Sequence, residues 1–131
     1  MHAVAETISA ARLCLSVLTD HRSDSVEHLI RALRTFSAER DWAKFHNPKD
    51  LAVSVSIEAG ELLENFQWRP EGAEISDADR ARIADEASDV LIYTLMLMDK
   101  LQLDAAQEVL KKLDRNATRF PVEKSFGRPG W

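Results

Sequence analysis

The sequence predicts an all-α fold, with about five helices in one bundle whose core is completed by homo-oligomerisation. Ala, Leu, Glu and Arg are frequent throughout, and the two-residue alternation expected of strands is absent from the pattern. Apolar residues fill 45% of the 131 positions, so a chain of this size can bury a core without disulfides or structural metals. We therefore expect a single domain over residues 1–131.

The first helical pattern lies near the N-terminus. Apolar residues recur at helical spacing over residues 3–18, which indicates a helical extension within residues 1–22. This stretch faintly resembles a signal sequence, but Glu6 and Arg12 interrupt an apolar run that is too short to span a bilayer. We expect neither secretion nor membrane insertion.

Capping residues mark the start of the next two helices. Asp24 can cap a helix that runs to about Arg40, with Glu27 placed three residues on as in a capping box. Asn47 is a good N-cap and Pro48 suits the first helical position, so another helix starts there and ends before the breaker RPEG. Its predicted core stripe is Leu51, Val55, Leu62 and Phe66.

A long helix follows the RPEG segment. Ser76 with Asp79 opens it, and it continues to about Leu101. Its second half is apolar nearly all round, which is more than the neighbours in one small subunit can cover. We therefore expect a partner chain against it.

The last predicted helix begins at Asp104, with Gln107 three residues on, and reaches about Arg119. Residues 122–131 contain Pro and Gly in close succession and predict a mobile tail.

The charge balance and the single cysteine each argue against particular partners and sites. Lys and Arg total 17 against 22 Asp and Glu, a formal charge of −5, so no basic face is available for a nucleic-acid polymer. The single Cys14 cannot form an internal disulfide or a multi-thiolate zinc site. One free thiol fits the reducing cytoplasm, which we predict as the location.

Two acidic couplets are the strongest functional signal. Glu58 and Glu61 lie three residues apart in one predicted helix, and Glu86 and Asp89 do so in the next. This spacing puts two carboxylates on one helix face, one turn apart. Face-to-face packing would bring four carboxylates together, and like charges so close need a cation or shared protons. Tyr93 follows along the same stripe.

A hard divalent cation fits these donors best. Mg²⁺ takes carboxylate oxygens in an octahedral shell and is often completed by substrate phosphates, and Mn²⁺ is a possible substitute. A di-iron bundle uses Glu-x-x-His motifs, but neither His28 nor His46 has a Glu three residues before it. One E-x-x-E alone is usually a solvated face or half of an ion pair, whereas two in apolar helices favour a metal site.

Four segments together resemble a known family. In chain order they read FSAERDWAKFHNPKDL, EAGELLENFQW, DEASDVLIY and KLDRNATRFP. The series is similar to the all-α nucleoside triphosphate pyrophosphohydrolases of the MazG-like superfamily, and most of all to the dCTP pyrophosphatase branch. The resemblance covers about Val26 to Pro121.

This resemblance implies a MazG-like helical bundle, a reaction and a metal site. The reaction is hydrolysis of dCTP or a modified dCTP between the α and β phosphates, which gives the monophosphate and pyrophosphate and cleans the nucleotide pool. In the family the two acidic motifs hold Mg²⁺, which makes Glu58, Glu61, Glu86 and Asp89 the expected metal ligands. Glu61 is our candidate for the catalytic carboxylate that orients or deprotonates the attacking water.

The resemblance also implies a substrate pocket. Trp42, His46 and Trp68 stand where dCTP-specific relatives line their base pocket, and aromatic faces can stack a nucleobase. Without the resemblance, both Trp residues would more often plug helix ends, and His46 would be an ordinary hydrogen-bonded histidine. Tyr93 can hydrogen-bond the substrate or cap the core.

The last predicted helix matches the family's K-x-D-x-N-x-x-R motif with Lys112, Asn116 and Arg119. These side chains can grip the β and γ phosphates, or form an exposed basic helix end that the helix dipole favours. At Ala117 and Thr118 the dCTP-specific relatives are more basic, so phosphate grip or substrate preference can differ here.

Two alternatives stay open. One is a non-catalytic helical oligomerisation or nucleotide-sensing module, in which the acids bind metal without hydrolysis. The other is a pyrophosphohydrolase for a different base, such as dUTP or a non-standard purine nucleotide, because base choice depends on pocket shape. Members of the family form homo-oligomers, so the resemblance implies a dimer or tetramer in which one subunit can contribute groups to its neighbour's site.

Overall fold

The computed structural model describes residues 25–128, in which every regular element is an α-helix. The prediction of an all-α fold is confirmed. Five helices follow in order: α1 (Val26–Glu39), α2 (Pro48–Glu64), α3 (Asp77–Lys100), α4 (Ala105–Arg119) and α5 (Val122–Ser125). The helical extension predicted within residues 1–22, Cys14, and residues 129–131 lie outside the described residues.

Side-chain caps start three of the helices at the predicted positions. In each, a side-chain oxygen accepts the backbone N–H three residues on: Asn47 from Asp50 at 2.9 Å, Ser76 from Asp79 at 3.1 Å, and Asp104 from Gln107 at 2.9 Å. Such caps satisfy backbone donors that have no partner within the helix. The predicted starts of α2, α3 and α4 are confirmed.

Two details differ from the prediction. Ser25, rather than Asp24, caps α1, and its Oγ accepts the N–H of His28 at 3.1 Å. Asp and Ser cap about equally well, so sequence alone does not decide between adjacent candidates. The second difference is α5, which forms one helical turn inside the predicted tail after Pro121. The mobility predicted for that tail stays a prediction.

The centre of the fold is the antiparallel pair of α2 and α3. Residues 65–76 connect the two helices, and Leu51 near the start of α2 lines the same cleft as Leu95 near the end of α3. Both leucines are buried, as is Ala105. The helices α1 and α4 each pack on α3.

Burial away from this centre is shallow. Of the predicted core stripe of α2, Leu51 is buried and Val55 and Leu62 are half-buried, whereas Phe66 is 41% exposed. Among the helices of residues 25–128, none has both the length and the apolar character needed to cross a bilayer.

Candidate metal centre

Three of the predicted carboxylates meet between α2 and α3. One oxygen from each of Glu58, Glu86 and Asp89 lies within 4.8 Å of the other two, and we call these three residues the acid cluster. Glu58 comes from the middle of α2, while Glu86 and Asp89 stand one turn apart on α3. Their convergence agrees with the predicted geometry, and their role as metal ligands stays a prediction.

The electrostatics of the acid cluster are repulsive. Burial first, and then repulsion from Glu61, Asp89 and Glu86, raises the pKa of Glu58 above its usual value. The pKa of Glu86 is raised by burial and then by neighbouring carboxylates, Glu61 first among them. Among residues 25–128, each charge that shifts the pKa of these two groups is negative. A cation at the acid cluster would relieve this repulsion.

Glu61 lies beside the acid cluster. Its repulsion reaches both Glu58 and Glu86, but its oxygens are not within the group of three, and its side chain is exposed. Asp85 and Glu64 also repel Glu86, more weakly than burial and Glu61 do. Neither residue was among the predicted site residues, although Glu64 follows Glu61 at the same three-residue spacing.

Trp42 and His46 come together just before α2. Their ring centroids are 6.5 Å apart at an interplanar angle of 79°, an edge-to-face contact. His46 also lines a cleft of about 250 Å³ whose walls come from α1, residues 43–46, the start of α2 and the end of α3. Leu33 and Leu51 give this cleft an apolar lining. The predicted pair of Trp42 and His46 therefore stands at the edge of a real cavity.

The cleft lies along the helix pair from the acid cluster. Leu51 in its wall precedes Glu58 by seven residues, and Met96 follows Asp89 by seven, so the separation is about 10 Å at the helical rise. Tyr93 is half-buried and stands between them on α3. With a cation at the acid cluster, this arrangement would suit a ligand with a planar ring at one end and anionic groups at the other.

Trp68 lies at the opposite end of α2 from Trp42. It is 90% exposed and its backbone has a φ of 66°, a left-handed conformation that costs a non-glycine residue roughly 1–2 kcal/mol. The 17 residues of α2 span about 25 Å, too far for both indoles of one chain to line one small pocket. A pocket that contains both, as the sequence predicted, needs Trp68 from a second copy.

The predicted phosphate contacts lie on α4. Lys112 and Arg119 are exposed and Asn116 is half-buried, and the Arg119 guanidinium lies 5.1 Å from the ring centroid of Phe120. In residues 25–128, no hydrogen bond or ion pair joins these three side chains to the acid cluster.

Two ion pairs lie at the two ends of the α2–α3 pair, and no local sequence pattern indicates either of them. Arg34 on α1 donates from Nε to Asp99 Oδ2 at 2.9 Å, and both residues line the cleft beside His46. This hydrogen bond holds the pKa of Asp99 below its usual value. Arg69 and Asp79 approach to 3.0 Å across the connection between α2 and α3. The Arg34–Asp99 ion pair lies at the end of the helices that carries the cleft, and the Arg69–Asp79 ion pair lies at the other end.

Comparisons with known proteins agree with the fold and the motifs. A sequence profile of the MazG-like family matches residues 53–131. The dCTP pyrophosphatase 1 of Bos taurus is 41% identical over 107 residues, which cover 79% of this chain and 63% of that protein. The dCTP pyrophosphatase 1 of Homo sapiens is 40% identical over 102 residues, which cover 75% of this chain and 60% of that protein. The chain thus spans less than two thirds of the length of these relatives.

A solved structure also matches most of this chain. The crystal structure of a pyrophosphatase from Archaeoglobus fulgidus superposes with a TM-score of 0.62 at 39% sequence identity. The match covers 72% of this chain and 91% of the archaeal chain.

Proposed function

The chain belongs to the MazG-like family, and from this premise we propose that it hydrolyses a nucleoside triphosphate between the α and β phosphates. The products are the monophosphate and pyrophosphate. The leading substrate is dCTP or a modified dCTP, because the bovine and human relatives are dCTP pyrophosphatases. Removal of such nucleotides from the cytoplasmic pool is the role we infer.

The acid cluster is the observation that carries this proposal. Glu58, Glu86 and Asp89 offer oxygens within 4.8 Å of one another, and burial and mutual repulsion raise the pKa of two of them. Carboxylate oxygens are the ligands that Mg²⁺ prefers, and Mn²⁺ accepts the same donors. The donor set therefore fits a divalent cation, with these three residues as its ligands and Glu61 as the adjacent fourth.

Each nearby side chain has a chemical role in this proposal. A bound Mg²⁺ would neutralise triphosphate charge and act as a Lewis acid on the phosphoryl oxygens, which makes the phosphorus more electrophilic. Glu61 stands beside the acid cluster with an exposed carboxylate, which suits a group that orients the attacking water and accepts its proton. Tyr93 offers its hydroxyl to the sugar or phosphates between the acid cluster and the cleft.

The base end of the substrate would lie at the cleft beside Trp42 and His46. A volume of about 250 Å³ is below the range of drug-sized pockets and suits one planar ring. Stacking of a base on an aromatic side chain is worth about 1–3 kcal/mol. The separation of about 10 Å between cleft and acid cluster leaves room for sugar and phosphates. Trp68 from a second copy would complete the base pocket.

A homo-oligomer, dimer or tetramer, is part of the proposal. Large apolar side chains stay exposed on the helices α2, α3 and α4, among them Leu63 at 66%, Leu91 at 52% and Leu110 at 65%. A second copy that covers them would remove this apolar surface from water, at about 25 cal/mol per Å². The same association can carry the basic side chains of α4 to the β and γ phosphates at a neighbour's acid cluster.

Release of pyrophosphate from dCTP in the presence of Mg²⁺ tests the proposal. We expect release by the wild-type protein, and its loss in Glu61→Gln and Asp89→Asn variants whose circular dichroism matches wild type. If the wild-type protein binds dCTP but forms no pyrophosphate, a non-catalytic nucleotide-binding module replaces the enzyme as the function.

A substrate panel tests the base preference. We expect the highest kcat/KM for dCTP or 5-methyl-dCTP, with dUTP and a non-standard purine triphosphate lower. A higher kcat/KM for dUTP or the purine would keep the reaction and change its substrate.

A further inference from the structure

Arg69 ties together the segment that follows α2. Its Nε donates to the carbonyl of Asn65 at 3.4 Å, and its Nη1 donates to the carbonyl of Glu74 at 3.0 Å. Its Nη2 lies 3.0 Å from Asp79 Oδ2, and the two side chains are only 22% and 18% exposed. One guanidinium therefore links the end of α2, the connecting loop and the first turn of α3.

Asp79 is a fixed anchor for this contact. Its carboxylate accepts the hydroxyl of Ser76 at 2.8 Å and also pairs with Arg82. Its backbone N–H donates to Ser76 Oγ, the cap that starts α3. Hydrogen bonding from Arg69 holds the pKa of Asp79 well below its usual range, so the carboxylate is charged throughout the neutral range.

Trp68 directly precedes Arg69 and points away from the core. It is 90% exposed, and its left-handed φ of 66° is a conformation that bulky residues keep only when the surrounding structure enforces it. The bonds of Arg69 to Asn65 and Glu74 fix the backbone on both sides of Trp68. The backbone that carries the exposed indole is therefore fixed by contacts of Arg69.

We propose that the Arg69–Asp79 ion pair positions Trp68 for stacking on a planar nucleobase. The inference rests on the proposed function, in which Trp68 lines the base pocket of a second copy. A residue whose backbone is fixed in its binding geometry before the ligand arrives loses less conformational freedom on binding, so affinity rises. Arginine suits this task because its planar fork donates to three acceptors at once, which a lysine ammonium does not do in the same geometry.

A double-mutant cycle on KM for dCTP tests the positioning role. We expect Trp68→Ala to raise KM about tenfold, within the range that loss of one base–aromatic stack produces. Arg69→Met should raise KM several-fold with kcat within about twofold of wild type, because it acts through Trp68 and not through the chemistry. The double variant should have the KM of Trp68→Ala alone. A KM in the double variant that equals the product of both single effects would overturn the inference.

Two further variants keep the cycle informative. Arg82→Ala is the matched control, because Arg82 contacts the same Asp79 carboxylate from within α3 and its KM should stay within about twofold of wild type. If Arg69→Met fails to fold by circular dichroism, Asp79→Asn takes its place, since it removes the ion pair from the other side. A KM for Arg82→Ala as high as that of Arg69→Met would overturn the specific role of Arg69.

Binding of dCMP without metal separates this inference from the proposed function. The part of the tryptophan fluorescence quenching that disappears in Trp68→Phe reports Trp68, and we expect Arg69→Met to lose the same part. Absence of dCTP hydrolysis with this quenching intact would remove the enzymatic function and leave the positioning role. Hydrolysis with equal quenching in wild type and Trp68→Phe would overturn the positioning role and leave the enzyme.

Discussion

Two carboxylates on the same helix, Asp79 and Glu86, stand two turns apart in opposite environments. Asp79 contacts Arg69 and Arg82, and hydrogen bonding from Arg69 lowers its pKa. Glu86 faces other carboxylates, and burial together with their repulsion raises its pKa. At Asp79, the negative charge on α3 is paired with arginines of the same chain. At the acid cluster, the described part of the chain brings only further negative charge to Glu58 and Glu86.

The contrast shows how to separate structural from functional acids in this fold. Both residues are half-buried acids seven positions apart on one helix, so residue type and periodicity do not distinguish them. What differs is the sign of the charges around each group. A group of half-buried like charges is favourable only with an outside cation, which makes the acid cluster the functional candidate.

The largest expected effect comes from neutralising the acid cluster. We predict that Glu86→Gln lowers kcat for dCTP hydrolysis by a factor of roughly 10²–10³. The loss of metal-assisted charge stabilisation raises the activation free energy by several kcal/mol. The measurement is pyrophosphate release at saturating Mg²⁺.

Asp85→Asn is the matched control for that variant. Asp85 is the neighbouring acid on α3 and lies outside the group of three. Its kcat should stay within about threefold of wild type, because it contributes charge but no ligand atom. Equal losses in both variants would mean that net charge, rather than the acid cluster, controls the activity.

Stabilisation by Mg²⁺ is the next largest effect. At a Mg²⁺ concentration of 100 times its Kd, we expect the free energy of unfolding of the wild-type protein to rise by about 2.7 kcal/mol. Glu86→Gln should lose most of this rise, whereas Asp79→Asn should keep it. Chemical denaturation with and without Mg²⁺ measures the change. A rise of equal size in Glu86→Gln would place the cation elsewhere.

The two carboxylates should respond oppositely to neutralisation when metal is absent. At neutral pH in EDTA, Glu86→Gln removes repulsion and should raise the melting temperature by a few degrees. Asp79→Asn breaks the contact with Arg69 and should lower it. Thermal melts of the two variants side by side measure the difference. If both variants melt lower than wild type, Glu86 is a structural acid like Asp79.

The pH dependence of these melting differences is the smallest effect. Because the folded pKa of Glu86 is raised, its contribution to stability is present below its usual pKa of 4.5 and is lost as pH rises through the raised value. The gain in Glu86→Gln should therefore vanish as pH falls past 4.5. Asp79 has a lowered pKa, so its contribution is present above 3.8 and is lost only as pH falls further. A gain in Glu86→Gln that grows on acidification would contradict this sign.

Local spacing was sufficient to predict much of the fold and part of the site. The starts of three helices followed from caps such as Asn47 and Ser76, because a cap acts within three residues of chain. The acidic couplets on α2 and α3 followed from helical periodicity. Their convergence needed only that two consecutive helices fold back on each other, as α2 and α3 do across residues 65–76.

Contacts between distant segments were not predictable in this way. Arg34 and Asp99 are 65 residues apart, and Arg69 reaches Asp79 across a loop, so neither pair produces a local pattern. The left-handed backbone of Trp68 also follows from no local sequence pattern, because it occurs at a bulky residue rather than at glycine. The predicted pocket with both Trp42 and Trp68 depends on a second copy, and a single sequence does not specify how two copies meet.

The most direct test of the acid cluster as a cation site is a crystal structure in the presence of Mn²⁺, read by its anomalous scattering. We predict an anomalous peak among the carboxylates of Glu58, Glu86 and Asp89, reduced by excess Mg²⁺ and lost in Glu86→Gln. A map with Mn²⁺ bound at another site and no peak among these three carboxylates would contradict the assignment.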